Sequence, residues 1–268
     1  MKRIDARFAT LKETGEKALV AFFTAGDPLA EGTADLIEAI AQGGADVIEV
    51  GVPFSDPLAD GPAIQASSFR ALQSGMTPPK VLEAVKEARR RGVETPILLM
   101  GAWNPALQLG PERFARAAVD AGVDGTIMTD LSPEEAGEWK RICDAVGLAT
   151  IFLLAPTSTP ARMALVGRLA SGFVYCVSMT GITGTADVVA DSLPALLAQI
   201  RERIEVPLCV GFGIKTPEQV RSVCALEDAD GAVVGTALVN FLHENRESDT
   251  LLERTKTYVA SLKAATRP

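Results

Sequence analysis

Histidine is almost absent from this sequence: 268 residues contain one, His243, in a polar stretch near the C-terminus. That scarcity argues against serine–histidine–aspartate catalysis and against a metal site built from several histidines. Cysteine is sparse as well. Cys143, Cys176, Cys209 and Cys224 lie far apart with no Cys-x-x-Cys spacing, and three of them fall within apolar runs. They read as small buried hydrophobes of a reducing cytoplasm, neither a disulfide framework nor a zinc site. Positive charge is in deficit, with 26 Lys and Arg against 34 Asp and Glu for a net charge of −8. Nucleic acids and anionic membranes both reward the opposite balance. No apolar run approaches the roughly 18 residues of a membrane span, and residues 1–8 lack the apolar segment of a secretory signal. A glycine-rich dinucleotide turn is also missing: the first apolar run leads into Thr24-Ala25-Gly26-Asp27-Pro28.

What the chain does have is alternation. Eight short apolar runs, 18–24, 46–50, 96–100, 125–129, 149–154, 173–177, 208–210 and 232–234, are separated by segments with helical apolar spacing. Leu36, Ile37 and Ile40 form one such stripe, and Val81, Leu82, Val85 and Ala88 another. Near-continuous apolar strands linked by helices imply parallel βαβ units buried on both faces. The junctions before the strands recur too: Gly44-Ala45-Asp46, Gly122-Val123-Asp124, Asp228-Ala229-Asp230 and Ser171-Gly172. Such a repeated βα unit of about 30 residues predicts one domain, a single (β/α)8 TIM barrel. An extra N-terminal helix is expected over 4–12 and a closing one over 250–265. A doubly wound open sheet has the same local pattern and is the structural alternative.

In a barrel, reactive groups belong at the C-terminal ends of the strands. Glu49, in Asp46-Val47-Ile48-Glu49-Val50-Gly51, lies on a strand with no solvent face, so its carboxylate is buried whichever way it points. It is either half of a structural ion pair or a general acid/base, and its place at a strand end favours the second. The loop Pro53-Phe54-Ser55-Asp56-Pro57-Leu58-Ala59-Asp60-Gly61-Pro62 follows. Asp60 either caps the next helix or joins Glu49 in a site where one carboxyl protonates and the other stabilises a cation. Tyr175, one of two tyrosines, is either a site residue or an ordinary core aromatic. Lys215 precedes a helix-cap sequence, Thr216-Pro217-Glu218, and reads as a solvated lysine, not a Schiff-base former. Three glycine turns, Gly181-Ile182-Thr183-Gly184-Thr185, Gly211-Phe212-Gly213 and Gly235-Thr236, follow the sixth, seventh and eighth runs and suit a phosphate.

With these residues in view, the chain resembles tryptophan synthase α subunits along almost its full length. The matching stretches are Phe23-Thr24-Ala25-Gly26-Asp27-Pro28; Glu49 with the loop from Gly51 to Pro62 and Ile64-Gln65; Ala155-Pro156-Thr157; Thr180-Gly181-Ile182-Thr183-Gly184; and Val210-Gly211-Phe212-Gly213-Ile214. The resemblance implies a lyase that splits indole-3-glycerol phosphate into indole and glyceraldehyde 3-phosphate by retro-aldol cleavage. Glu49 would be its acid/base, Asp60 would hold the indole N–H, and Tyr175 would support them. Gly184, Gly213, Gly235 and Thr236 would bind the phosphate. Phe22, Met100, Ile127, Leu153, Thr183, Phe212 and Val234 would form the slot for the ring. Residues 178–191 would act as a lid. Pro53, Phe54, Asp56, Pro57, Asn104 and Asp130 would face a β subunit, in an α2β2 tetramer whose pyridoxal phosphate belongs to that partner; this chain would carry no cofactor or metal.

Two departures stand out. Ala102 replaces a usual aromatic, with Trp103 placed to compensate, and Thr129 precedes Asp130 where proline is commoner. A stand-alone lyase releasing free indole shares the same motifs, and a weakly catalytic barrel acting mainly on a partner is a further alternative.

Overall fold

Eight parallel strands close into a barrel in sequence order. The computed structural model describes residues 2–177, 186–211 and 213–267, with side chains for all but Lys2 and residues 186–192. The strands are β1 (Ala18–Thr24), β2 (Val47–Gly51), β3 (Ile97–Gly101), β4 (Gly125–Met128), β5 (Ala149–Leu154), β6 (Val174–Val177), β7 (Leu208–Gly211) and β8 (Gly231–Val234). The helices begin with α1 (Lys2–Thr14), α2 (Thr33–Gln42), α3 (Pro62–Gln73), α4 (Pro78–Arg90), α5 (Trp103–Leu109) and α6 (Pro111–Ala121). They continue with α7 (Gly137–Val146), α8 (Pro160–Leu169), α9 (Ala186–Arg201), α10 (Pro217–Cys224), α11 (Thr236–Glu244) and α12 (Leu251–Ala264). The sheet closes, so the open doubly wound alternative is set aside.

Alternation along the strands separates two cores. Val20, Val47, Leu98, Ile127, Ile151, Cys209 and Val233 point into the barrel, where Ile4, Phe8 and Leu11 of α1 meet them from below. The Phe8 and Phe173 rings lie 5.9 Å apart at this plug. The intervening residues, among them Leu19, Ile48, Val50, Ile97 and Leu99, pack outward against α2 and α4 through Leu36, Ile37, Ile40, Val81, Val85 and Ala88. Both predicted helical stripes are therefore core stripes, although Leu82 is only partly buried. Burying each such side chain contributes about 1.5–3 kcal/mol.

The recurrent junctions turn out to be stitches at the lower rim. Asp46, Asp124, Ser171 and Asp230 each precede an even-numbered strand. Each accepts, through its side chain, the backbone N–H of a residue at the start of the odd strand before it: Leu19 (2.6 Å), Ile97 (2.9 Å), Thr150 (2.9 Å) and Leu208 (2.8 Å). The N–H of each returns a bond to the carbonyl of that same partner, at 2.8–3.0 Å. Three of the stitches carry a charge, and each is compensated. Asp46 takes Arg7 and Lys263, Asp124 takes Arg3 and Arg89, and Asp230 takes Arg201. Asp46 and Asp124 are buried and need two donors each to offset their desolvation, whereas Asp230 keeps partial contact with solvent and takes one arginine. The stitches also explain why β2 starts at Val47 and not at Asp46. Pro96 lacks an N–H to donate, so it stands just ahead of β3 and joins the pairing only through its carbonyl, which accepts the Ile48 N–H at 2.9 Å. Gly122 ends α6 in the left-handed conformation at φ +91°, which glycine adopts without steric cost.

Candidate active site

Above the plug, the upper end of the barrel holds polar groups. Glu49 shares the inward face with Val47, in register with Phe22 of β1 and Leu98 of β3. It is fully buried, and neither carboxyl oxygen has a hydrogen-bond partner among the described residues. The ion-pair reading is thereby excluded among them. Burial alone pushes its pKa up to about 8, so at neutral pH the group is mainly a neutral acid, the form in which an unpaired carboxyl tolerates an apolar site.

Asp60 is half-buried and lines a cleft partly open to solvent, with Phe22, Gly51, Ile64, Met100, Thr129 and Asp130 among its walls. It does not cap the following helix: Gly61 is the N-cap of α3 and no side chain bonds there. Its loop is held instead through its backbone: the Asp60 N–H donates to the Pro57 carbonyl (3.0 Å), and the Gln65 side-chain Nε2 donates to the Asp60 carbonyl (2.8 Å). Burial first, then the charge of Asp130, raise its carboxyl pKa to about 6. Glu49 lies just beneath the cleft, because its register neighbour Phe22 and its strand neighbour Gly51 both form the wall.

Tyr175 also points inward, beside Cys209 and Leu153 in register. Burial first and then the Glu49 carboxylate push its phenol above the ordinary tyrosine value. Its hydroxyl lies so close to Gly211 that a Cβ there would fall 2.3 Å from the oxygen.

Of the predicted slot residues, Phe22, Met100, Ile127 and Leu153 lie on the barrel's inner face. Val234 does not: it packs outward in the helix-facing core, and Val233 is the inward residue of β8. Every residue of that strand is buried, so hydrophobicity gives no phase. Gly235 supplies one, since its i−2 neighbour Val233 must share its face. Thr129, two positions beyond Ile127, is a wall residue found by the same rule. Gly235 is the N-cap of α11 and Thr236 its first residue. A Cβ on Gly235 would lie 3.6 Å from that of Phe22, which ties this helix start to the cleft wall. Gly213 takes φ +82° in the exposed turn after β7. Thr183, Gly184 and Phe212 lie outside the described residues, as does most of the 178–191 lid.

Among the partner-facing candidates, Asp56, Asn104 and Asp130 are exposed, and Phe54 and Pro57 are half-buried. Pro53 is buried and so presents no surface. Leu58, not singled out in the sequence, is 94% exposed on the same loop. Trp103 does not compensate for Ala102. Ala102 lines the cleft, whereas Trp103 turns to the outer core, its ring 5.2 Å from that of Trp139. Lys215 is solvent-exposed ahead of a capping box formed by Thr216 and Gln219.

Comparison with known proteins gives the family and agrees with the fold. The family model described as "Tryptophan synthase alpha chain" matches residues 8–267. A tryptophan synthase alpha chain from Geobacter sp. (strain M21) is 52% identical over 263 residues, covering 98% of this chain and 97% of that protein. One from Burkholderia thailandensis is 47% identical over 265 residues, covering 99% and 97%. The crystal structure of tryptophan synthase subunit alpha from Legionella pneumophila superposes with a TM-score of 0.91 at 40% identity, covering 98% of both chains. The chain belongs to the tryptophan synthase alpha chain family.

Proposed function

We propose that Glu49 and Asp60 divide the chemistry of indole-3-glycerol phosphate cleavage between them, one moving the proton and the other holding the charge. As a member of its family the chain is the α subunit acting in tryptophan biosynthesis, an indole-3-glycerol-phosphate lyase. The observation that carries the assignment of roles is Glu49, a buried carboxyl without a partner among the described residues, its pKa raised to about 8 beside the cleft of Asp60.

The neutral Glu49 acid gives its proton to carbon 3 of the indole ring. Positive charge then develops toward the ring nitrogen, whose N–H donates to the Asp60 carboxylate. The Glu49 carboxylate left behind takes the proton of the hydroxyl on the adjoining glycerol carbon. The bond from that carbon to the ring breaks, its electrons restoring the aromatic indole while the alkoxide becomes the aldehyde. A single group serves as acid and then base, which requires a pKa near the working pH. The ring is the electron sink, so no imine is needed, consistent with an exposed Lys215. Tyr175 supports the Glu49 carboxyl. Gly213, Gly235 and Thr236, with Gly184, hold the phosphate at the α11 N-terminus, where the helix dipole favours an anion.

We infer further that the chain works in the cytoplasm with a β subunit in an α2β2 assembly. That partner would hold pyridoxal phosphate, and this chain needs no cofactor for the steps above. The exposed Leu58 beside Asp56 suits such a contact. Relatives named as alpha chains do not favour the stand-alone lyase or the weakly catalytic barrel. Indole release from indole-3-glycerol phosphate, by the chain alone and with its partner, tests this. Slow release that accelerates strongly in the complex is expected. No release under either condition would overturn the catalytic roles.

A further inference from the structure

The cleft that holds Asp60 has a second carboxylate, from another loop. Asp130 follows β4, and its Oδ1 accepts the backbone N–H of Trp103 at 2.6 Å. Trp103 opens α5, whose N-cap Ala102 offers no side-chain bond. Asp130 therefore caps that helix from the neighbouring loop, and the bond fixes the position of its charge. Asp60 and Asp130 line the same cleft. The other titratable group there is Asp56, on the Asp60 loop, which receives the Ser55 hydroxyl at 2.6 Å. α3 contributes Ile64 and Ser68, and the strands contribute Phe22, Gly51 and Met100; no lysine, arginine or histidine is among the described lining residues.

We propose that Asp130 is a positioning residue for the lyase reaction: anchored by the α5 N-terminus, it acts on Asp60 across the cleft. Together the two make a wall of negative potential that favours a ring becoming cationic over a neutral one. This rests on the roles proposed for Glu49 and Asp60. The charge of Asp130 is the one electrostatic cause, besides burial, of the raised Asp60 pKa. A more basic Asp60 is a stronger acceptor for an indole N–H that grows acidic as the ring is protonated. Because Asp130 is exposed, the effect is modest and screened by salt.

The test compares Asp130→Asn, which keeps an oxygen for the Trp103 N–H but loses the charge, with Asp130→Ala, which loses both. The pH profile of kcat/KM for indole-3-glycerol phosphate is measured on the chain alone, where Asp130 is exposed, at low and high salt. The acidic limb should move down by roughly half a pH unit in both variants, with a several-fold lower plateau. Raising salt to about 1 M should lower the wild-type limb and leave that of Asp130→Asn in place. If Asp130→Asn keeps the wild-type limb and plateau while Asp130→Ala loses activity, Asp130 is only a helix cap and the proposal fails. Glu49→Gln and Asp60→Asn are run alongside: if either retains full activity, the underlying catalytic reading fails instead.

Discussion

The Tyr175 hydroxyl occupies the space that a side chain on Gly211 would need. A Cβ built on Gly211 lies 2.3 Å from the phenolic oxygen, 2.6 Å from Cζ and 2.8 Å from Cε1. The two residues sit on adjacent strands, β6 and β7, and the fit is possible because one of them has no side chain. Gly211→Ala must therefore displace the ring toward Glu49 or push the strands apart. Overpacking of this kind costs about 1–3 kcal/mol, and indole formation should fall along with the melting temperature. Tyr175→Phe should not rescue it, because the ring carbons still clash. Full activity in Gly211→Ala would show that the ring has room to move.

Glu49 should lower the stability of its own protein above acidic pH. Its pKa is raised from 4.5 to about 8 on folding, so the native state holds a proton that the unfolded chain releases. Stability is fully present below pH 4.5 and is lost progressively until the pH passes about 8. Glu49→Gln removes that loss, on the order of a few kcal/mol. It should match the wild type in melting temperature at pH 4 and exceed it at pH 9, while indole release falls by about 10²-fold or more. Equal melting temperatures at pH 9 would mean that Glu49 is not buried as an isolated acid.

The two carboxyls also predict the activity profile. Asp60 must be ionised to hold the indole N–H, and Glu49 must be protonated to begin the reaction. Activity of the isolated chain should rise as pH passes about 6 and fall as it passes about 8. Asp60→Asn should erase the acidic limb and spare the basic one, as a pH series of kcat/KM would reveal.

Leu58 offers a test of the partner surface. At 94% exposure it contributes little to the folded chain, so Leu58→Ser should leave the folding stability within about 0.5 kcal/mol of wild type. Affinity for the β subunit, measured by titration calorimetry, should fall about tenfold if the loop docks there. Unchanged affinity would remove Leu58 from the interface.

Much of this was legible in the residues, for reasons that differ by element. β1 and β5 begin and end where their apolar runs do, because β1 is buried throughout and β5 at every residue but Leu153. Glu49 stood out because a charge inside an apolar run has no innocuous place to go. Asp60 was ambiguous, since an aspartate before Gly-Pro suits a cap equally well, and only the loop path decided it. The phase of β8 was hidden by its small apolar residues, which made Val233 and Val234 indistinguishable. The sequence leaves Trp103 undecided because pocket and outer core both welcome an aromatic, and the start of α5 turns it outward onto Trp139. Asp130 could not have been paired with Asp60 or with the α5 N-terminus from spacing, as all three come from different strand ends.

The stitched lower rim gives the barrel a grain. Within β1–β2, β3–β4, β5–β6 and β7–β8 a side chain reinforces the backbone pairing. Between these pairs the corresponding first bonds are backbone alone: Ile48 N–H to Pro96, Ala149 N–H to Asp124, Val174 N–H to Pro207 and Ala18 N–H to Asp230. The closed ring is thus four doublets laid side by side, alike in construction and unlike in sequence. Glu49 stands on the first doublet and Tyr175 on the third, so the proton chemistry is assembled across seams, from quarters that each carry an incomplete set of parts.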